Sequence, residues 1–314
     1  MTMTRTLALM FLVVAGSSGA APFAYVSNEG SATISVVDVA TDTVVKTLAT
    51  GEKPRGIAVS RDGARVFVTE QSSNALSAYD AASGERVGQA AVGRSPEGAY
   101  LSPDGKLVAV AVEENNEVAL VDTGTMTVSR KIAVKGKNPE HAVWSPDGRW
   151  IFASAEDADS VDMIDVASGQ VVASVKVGLR PRGIGFLPDS SRAYVAAENA
   201  DLVNVIDVRA RTVVATIPAA ARSNGVVVHP DGKRVFVTSG GAALVQVIDT
   251  ASNQIVAKVE VGARPWNMAL SADGRKLYVA CGRSGSVAVI DTESYRKTAD
   301  IAVGKLPWGV AIAH

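Results

Sequence analysis

An aspartate returns every forty-two or forty-three residues along this chain: Asp38, Asp80, Asp122, Asp165, Asp207, Asp249 and Asp291. Each closes an apolar run of strand length. A second series keeps the same step at Asp62, Asp104, Asp147, Asp189, Asp231 and Asp273, and all but Asp189 are followed by glycine. Such a period means one supersecondary unit repeated, too small to bury its own faces and therefore stacked on its neighbours. Seven units made only of short strands imply an all-β, seven-bladed β-propeller with four strands to a blade.

Residues 235–276 show the unit. Val235-Phe236-Val237-Thr238 reads as a strand, Gly240-Gly241-Ala242 as a turn, and Leu244 to Asp249 as a second strand. A third spans Gln254 to Val259, a crossing loop ends at Pro265, and a fourth spans Asn267 to Ser271 before the Ser-Ala-Asp-Gly turn. Elsewhere that turn reads Ser102-Pro103-Asp104-Gly105 or His229-Pro230-Asp231-Gly232; proline presets φ and glycine accepts φ > 0. Leu187-Pro188-Asp189-Ser190 puts serine where glycine belongs, so strain or a different shape is expected there. The repeat starts after an inner strand and stops on one. Gly309 to Ala313 is therefore expected to pair with the strands beginning at Phe23, closing the ring and removing two edges.

Residues 1–20 stand outside the repeat. Arg5, the apolar run Leu7 to Ala15 and the small residues Ser18-Gly19-Ala20 read as a secretory signal, which leaves residues 21–314 as one propeller. A periplasmic or secreted, soluble monomer with no membrane span is expected. Thirty-one basic and thirty-two acidic residues nearly cancel, so no net field favours nucleic acid. Cys281 is the only cysteine, which excludes an internal disulfide, a two-cysteine metal site and covalent haem attachment; it reads as core packing. Serine-hydrolase, metalloprotease and nucleotide-binding motifs are missing.

Chemistry is expected at the loop entering each inner strand. Proline stands there at Pro54, Pro96, Pro139, Pro181, Pro265 and Pro307, with Ser223 once. The next position varies around the ring: Arg55, Glu97, Glu140, Arg182, Asn224, Trp266 and Trp308. Seven equivalent environments under purely structural demand would choose similar residues, so these are the candidate ligand-binding set. Trp266, Trp308 and Arg55 suit a planar anion by stacking and charge. Glu97 and Glu140 suit a cation or an acid–base pair. His141 replaces the glycine found at Gly56, Gly98, Gly183, Gly225 and Gly309, and joins the set as a candidate ligand or base. If the chain is an enzyme, His141, Glu140 and Arg182 are the catalytic candidates; no cofactor or metal is assigned. Glu29, Glu113, Glu156 and Glu198 form an acidic arc on the same face, and Lys53, Arg180, Arg222 and Arg264 a basic set expected to neutralise it. The Asp38-type series recurs in every blade and reads as structural.

Tyr25-Val26-Ser27-Asn28, Val36-Val37-Asp38, Val205-Ile206-Asp207 and the Pro-Asp-Gly turns resemble the YVTN family of β-propeller repeat proteins over the whole mature chain. Among these the chain is most similar to exported propellers associated with pyrroloquinoline-quinone-dependent alcohol catabolism. That resemblance implies a non-enzymatic binding or scaffold protein, whose partner is a quinoprotein dehydrogenase, an electron carrier or a small molecule. A lactonase-like or lyase-like propeller enzyme and an accessory subunit of a redox complex are the alternatives.

Overall fold

A computed structural model describes residues 23–313. The expected signal segment lies outside the described residues. Seven four-stranded antiparallel sheets stand in a ring. Blade one combines Pro307–Ile312 with Phe23–Asn28, Thr33–Asp38 and Thr43–Ala49; its closure pairs Ala24 with Ile312, Val26 with Val310 and Ser27 with Gly309. The inner strands of blades two to seven begin at Pro54, Pro96, Pro139, Pro181, Ser223 and Pro265. The expected closure is thus present, although the closing strand starts at Pro307 rather than Gly309. Likewise the strand expected from Asn267 runs Pro265–Leu270, because Pro265 already pairs with Cys281. Among the described residues no helix is long and apolar enough to cross a membrane.

Each blade is one sheet of a face-to-face stack, so burial belongs to the gaps between blades. There are seven apolar clusters for seven gaps; that between blades one and two, for example, joins Tyr25, Val36 and Ile34 to Val66, Val68 and Tyr79. This is the nearest-neighbour organisation expected of a repeat protein. The three inner strands are buried on both faces and read as near-continuous apolar runs. The outer strands differ despite similar sequences. In Thr43–Ala49 only Leu48 is buried, while Val44 and Val45 face solvent, and Ile132, Val175, Ile217, Val259 and Ile301 repeat Leu48 elsewhere.

Both aspartate series are structural. Asp38, Asp80, Asp122, Asp165, Asp207, Asp249 and Asp291 each accept backbone N–H bonds from the residues two or three further on, closing the hairpin. The second series does the same in the tight turns, as where Asp104 accepts from Lys106 N–H and Ser102 Oγ. In those turns Gly105 has φ +75 and Gly274 +73. Ser190 adopts φ +60, so the departing turn keeps the common shape with serine in the left-handed region, where its Oγ accepts a bond from Asp147 N–H. Cys281 is buried between blades six and seven as a core-packing residue, and burial pushes its thiol up to about 11.

Candidate functional site

The ring position owes its freedom to a bulge. In blade two Pro54 pairs with Glu70 and the ladder resumes only at Ile57–Val68, so Arg55 and Gly56 are left out of register; blades three to seven repeat the shift. A bulge re-aims a side chain, and here it turns the ring residue to the channel mouth. Inner strands also meet closely: a Cβ on Gly56 would lie 2.3 Å from the Glu97 carbonyl oxygen, and one on Gly225 2.3 Å from that of Trp266. Hydroxyls of the second strands tie the bulges together. Ser27 Oγ accepts from Gly309 N–H and donates to the Arg55 carbonyl at 2.5 Å. Thr238 Oγ1 accepts from Gly225 N–H and donates to the Trp266 carbonyl, and Thr69 Oγ1 donates to that of Glu97.

Blades two to five carry charges that satisfy one another. Arg55 Nη1 donates to both carboxylate oxygens of Glu97, at 2.6 and 2.7 Å, and Nη2 to Glu29 at 3.2 Å. Gln71 adds a bond to Glu97. Arg182 is buried and pairs with Glu140, with Glu156 and, at 2.8 Å, with Glu198. Arg180 pairs with Glu156 at 3.0 Å, and Arg264 reaches Glu198 at 2.7 Å. Of the basic set only Arg180 and Arg264 neutralise members of the acidic arc, Glu156 and Glu198. Glu29 is held by Arg55 instead, Glu113 accepts from Ser95 Oγ, and Lys53 and Arg222 pair with no carboxylate among the described residues. Burial raises the Glu97 and Glu156 carboxyls to about 7 against the pull of Arg55 and Arg180. Burial also opposes ionisation of Glu198, but Arg182 and Arg264 override it and hold that carboxyl below its usual range. Glu97 and Glu140 each have their own arginine, and no cluster of three metal-binding side chains occurs among the described residues.

Blades six, seven and one supply neutral groups. Asn224 is buried; Trp266 is half-exposed; Trp308 is only 6% exposed. The Trp266 indole lies over Gly282, where a Cβ would come within 2.5 Å of the ring. Gly240 makes the same allowance for Arg264. These two glycines hold the position that carries Glu29, Glu113, Glu156 and Glu198 in other blades. They are the signal that sequence reasoning missed, along with Leu306, 41% exposed at the rim. A recess of about 300 Å³ results, walled by Trp266, Leu306 and Trp308 on one side and by Arg55, Glu140 and Arg180 on the other.

His141 does not join that recess. It is fully buried and crosses the channel to stack on Trp308, ring centroids 5.9 Å apart and planes 19° apart. Its Nδ1 meets the Tyr100 hydroxyl at 2.5 Å, and its Nε2 is buried without a partner. If the hydroxyl donates, a single orphan N–H remains; the other tautomer leaves two polar groups unsatisfied, so the first is favoured. Burial lowers the imidazole to about 4, so it is neutral at physiological pH. Asn267, also in a glycine slot, donates to the Trp308 carbonyl at 3.3 Å. Together His141 and Trp308 form a floor across the channel. The arrangement brings Glu140 to Arg182 but holds the His141 ring in the floor, bonded to Tyr100.

No curated protein matches the chain. Residues 102–226 match the cytochrome D1 heme domain. A Kuenenia stuttgartiensis hydrazine synthase chain superposes with a TM-score of 0.80 at 26% identity, covering 88% of this chain and 94% of that one. A functionally unknown protein from Desulfotomaculum acetoxidans gives 0.81 at 18%, covering 93% and 99%. Dihydro-heme d1 dehydrogenase NirN in complex with DHE gives 0.66 at 16%, covering 89% of this chain and 63% of that one. The YNCE-like β-propeller model matches residues 14–106 and 187–269, more than half of the chain, which therefore belongs to the YNCE-like β-propeller family.

Proposed function

We propose that this protein is an exported, non-enzymatic binding propeller whose channel mouth takes a planar, conjugated ligand bearing carboxylates. One observation carries the reading: the seven equivalent ring positions divide into a self-neutralised charged arc and an aromatic arc that leaves Trp266 half-exposed over a recess. An indole face supplies stacking at low conformational cost. Arg180, whose side chain is 45% exposed, spends its Nε on Glu156, and its terminal guanidinium nitrogens stand on the facing wall for a carboxylate. A general base needs a titratable group within reach of substrate. His141 is buried in the floor, and Glu29, Glu97, Glu140, Glu156 and Glu198 are each paired with an arginine. That leaves Glu113, bonded to Ser95 Oγ, as the one mouth glutamate outside the ion pairs among the described residues, and supports binding over catalysis.

The resemblance to exported propellers of pyrroloquinoline-quinone-dependent alcohol catabolism supports a periplasmic redox setting, with the quinone itself or a dehydrogenase carrying it as partner. The match to a cytochrome D1 heme domain, and the likeness to dihydro-heme d1 dehydrogenase NirN, support a second planar ligand class, the tetrapyrroles. Titrating pyrroloquinoline quinone and haemin against tryptophan fluorescence and calorimetry separates the two. Trp266→Ala should weaken the true ligand by roughly tenfold, the value of a stacked aromatic contact with its buried area. Arg180→Gln should weaken it by a similar factor. A ligand that binds both variants as tightly as the parent places the site elsewhere.

A further inference from the structure

The face opposite the charged mouth has its own opening. A cavity of about 480 Å³ there is lined by Ile57, Val59, Leu101, Val310, Ile312 and the ring of Tyr100. It shares Ile57, Ala99, Tyr100 and Val310 with a chamber of about 80 Å³ that reaches up to Trp308. The reason for the space is again internal to the repeat. One inner-strand position carries Tyr100, Val143, Gly185 and Val227 in blades three to six, where Val226 and Val228 crowd the space over Gly185, but Ala269, Ala311 and Ala58 in blades seven, one and two. Three adjacent alanines open the channel on that side, and the His141–Trp308 floor stops it from meeting the mouth.

The electrostatics of the two ends are opposite in kind. The mouth is crowded with glutamates, whereas the lining of the lower cavity includes no acid and a single charge, Arg61 at the rim. The Arg61 stem packs over Gly105 of the next blade, and the guanidinium has no carboxylate partner among the described residues. An apolar shaft rejects any group that must stay hydrated, while one unpaired cation at its entrance favours one anionic head. The volume lies within the range of small-molecule sites, which are mostly apolar with a few placed polar groups.

We propose that this lower channel is a second binding site, for free straight-chain monocarboxylates, with the hydrocarbon tail in the shaft toward Trp308 and the carboxylate on Arg61. The site is separate from the mouth and does not rest on the function proposed above.

Calorimetry of the exported protein with the series from butanoate to dodecanoate tests it. Affinity should rise about fourfold for each added CH₂, from the free energy of burying one methylene. The rise should stop once the tail meets the floor. Octanol should bind at least about fivefold more weakly than octanoate, and Arg61→Gln should erase that difference, in line with a charge-assisted bond. Ala311→Leu should fill the shaft and abolish binding of the longer acids, while Trp266→Ala should leave it unchanged. Flat affinity along the series, or octanol binding as well as octanoate, overturns the proposal. So does unchanged binding to an Ala311→Leu protein that melts like the parent. If Ala311→Leu does not fold, the chain-length series and Arg61→Gln decide the matter without it.

Discussion

Arg182 and Trp266 occupy the same position of the same repeat, two blades apart, and behave as opposites. Arg182 is buried among Glu140, Glu156 and Glu198, which claim its Nη1 and Nε. Trp266 lies on Gly282 with one face toward the recess. A repeated scaffold thus lends one bulged position to two tasks, internal neutralisation on one arc and an open surface on the other. Charge at a channel mouth is therefore no measure of binding capacity there; what matters is whether the charges are already spoken for.

The largest effect that would test this division comes from the seam of the aromatic arc. Deleting residues 309–314 unpairs Phe23–Asn28 and exposes its edge, so the protein should aggregate or lose its cooperative melt in a calorimetric scan. Retention of the parent's melting temperature would show that the ring closes by some other pairing.

Arg182→Ala comes next. It leaves buried carboxylates without a counter-charge, and removing one partner of a buried pair typically costs about 3–5 kcal/mol. Trp266→Ala, at a half-exposed position, should stay within about 1 kcal/mol of the parent in urea unfolding. Equal losses at the two positions would erase the distinction between the arcs.

A pH experiment addresses the floor between them. The His141 imidazole is lowered from 6.5 to about 4, so the unfolded chain binds the proton first and stability falls as pH drops through that window. Glu97 and Glu156 act with the opposite sign. Their carboxyls are raised from 4.5 to about 7, so the folded state holds protons that the unfolded chain has released, and stability falls as pH rises from 4.5 to 7. The two trends oppose each other in the wild type. The stability advantage of the wild type over His141→Gln should therefore be smaller at pH 5 than at pH 7, by about 2 kcal/mol. A constant difference between urea midpoints at the two pH values would mean that His141 is not the buried neutral group described.

The smallest effect concerns the frame beneath both arcs. Ser190→Gly relieves a left-handed residue but loses the bond to Asp147, so the two terms, each about 1 kcal/mol, should nearly cancel in thermal melts. A loss well above that would give the bond more weight than its geometry suggests.

The aspartate period, the turn chemistry and the phase of the first and last units make seven blades and their closure legible in the amino-acid sequence, because each repeat meets the same local demands. The variable ring position is legible for the same reason, as a break in a pattern. Pairing is not. That Arg55 holds Glu97, that Arg264 crosses blade six to reach Glu198, and that Gly240 and Gly282 clear the space for Arg264 and Trp266 depends on groups far apart in the chain that the ring brings together. His141 stands out as a lost glycine, and its sequence neighbour Glu140 suggests a catalytic pair; the channel instead sends its ring across to Trp308. The architecture thus follows from the chain alone, through local turns and apolar periodicity. Which charges are spent and which surfaces stay open is settled in three dimensions, since burial and ion pairing arise where separate blades converge on one axis.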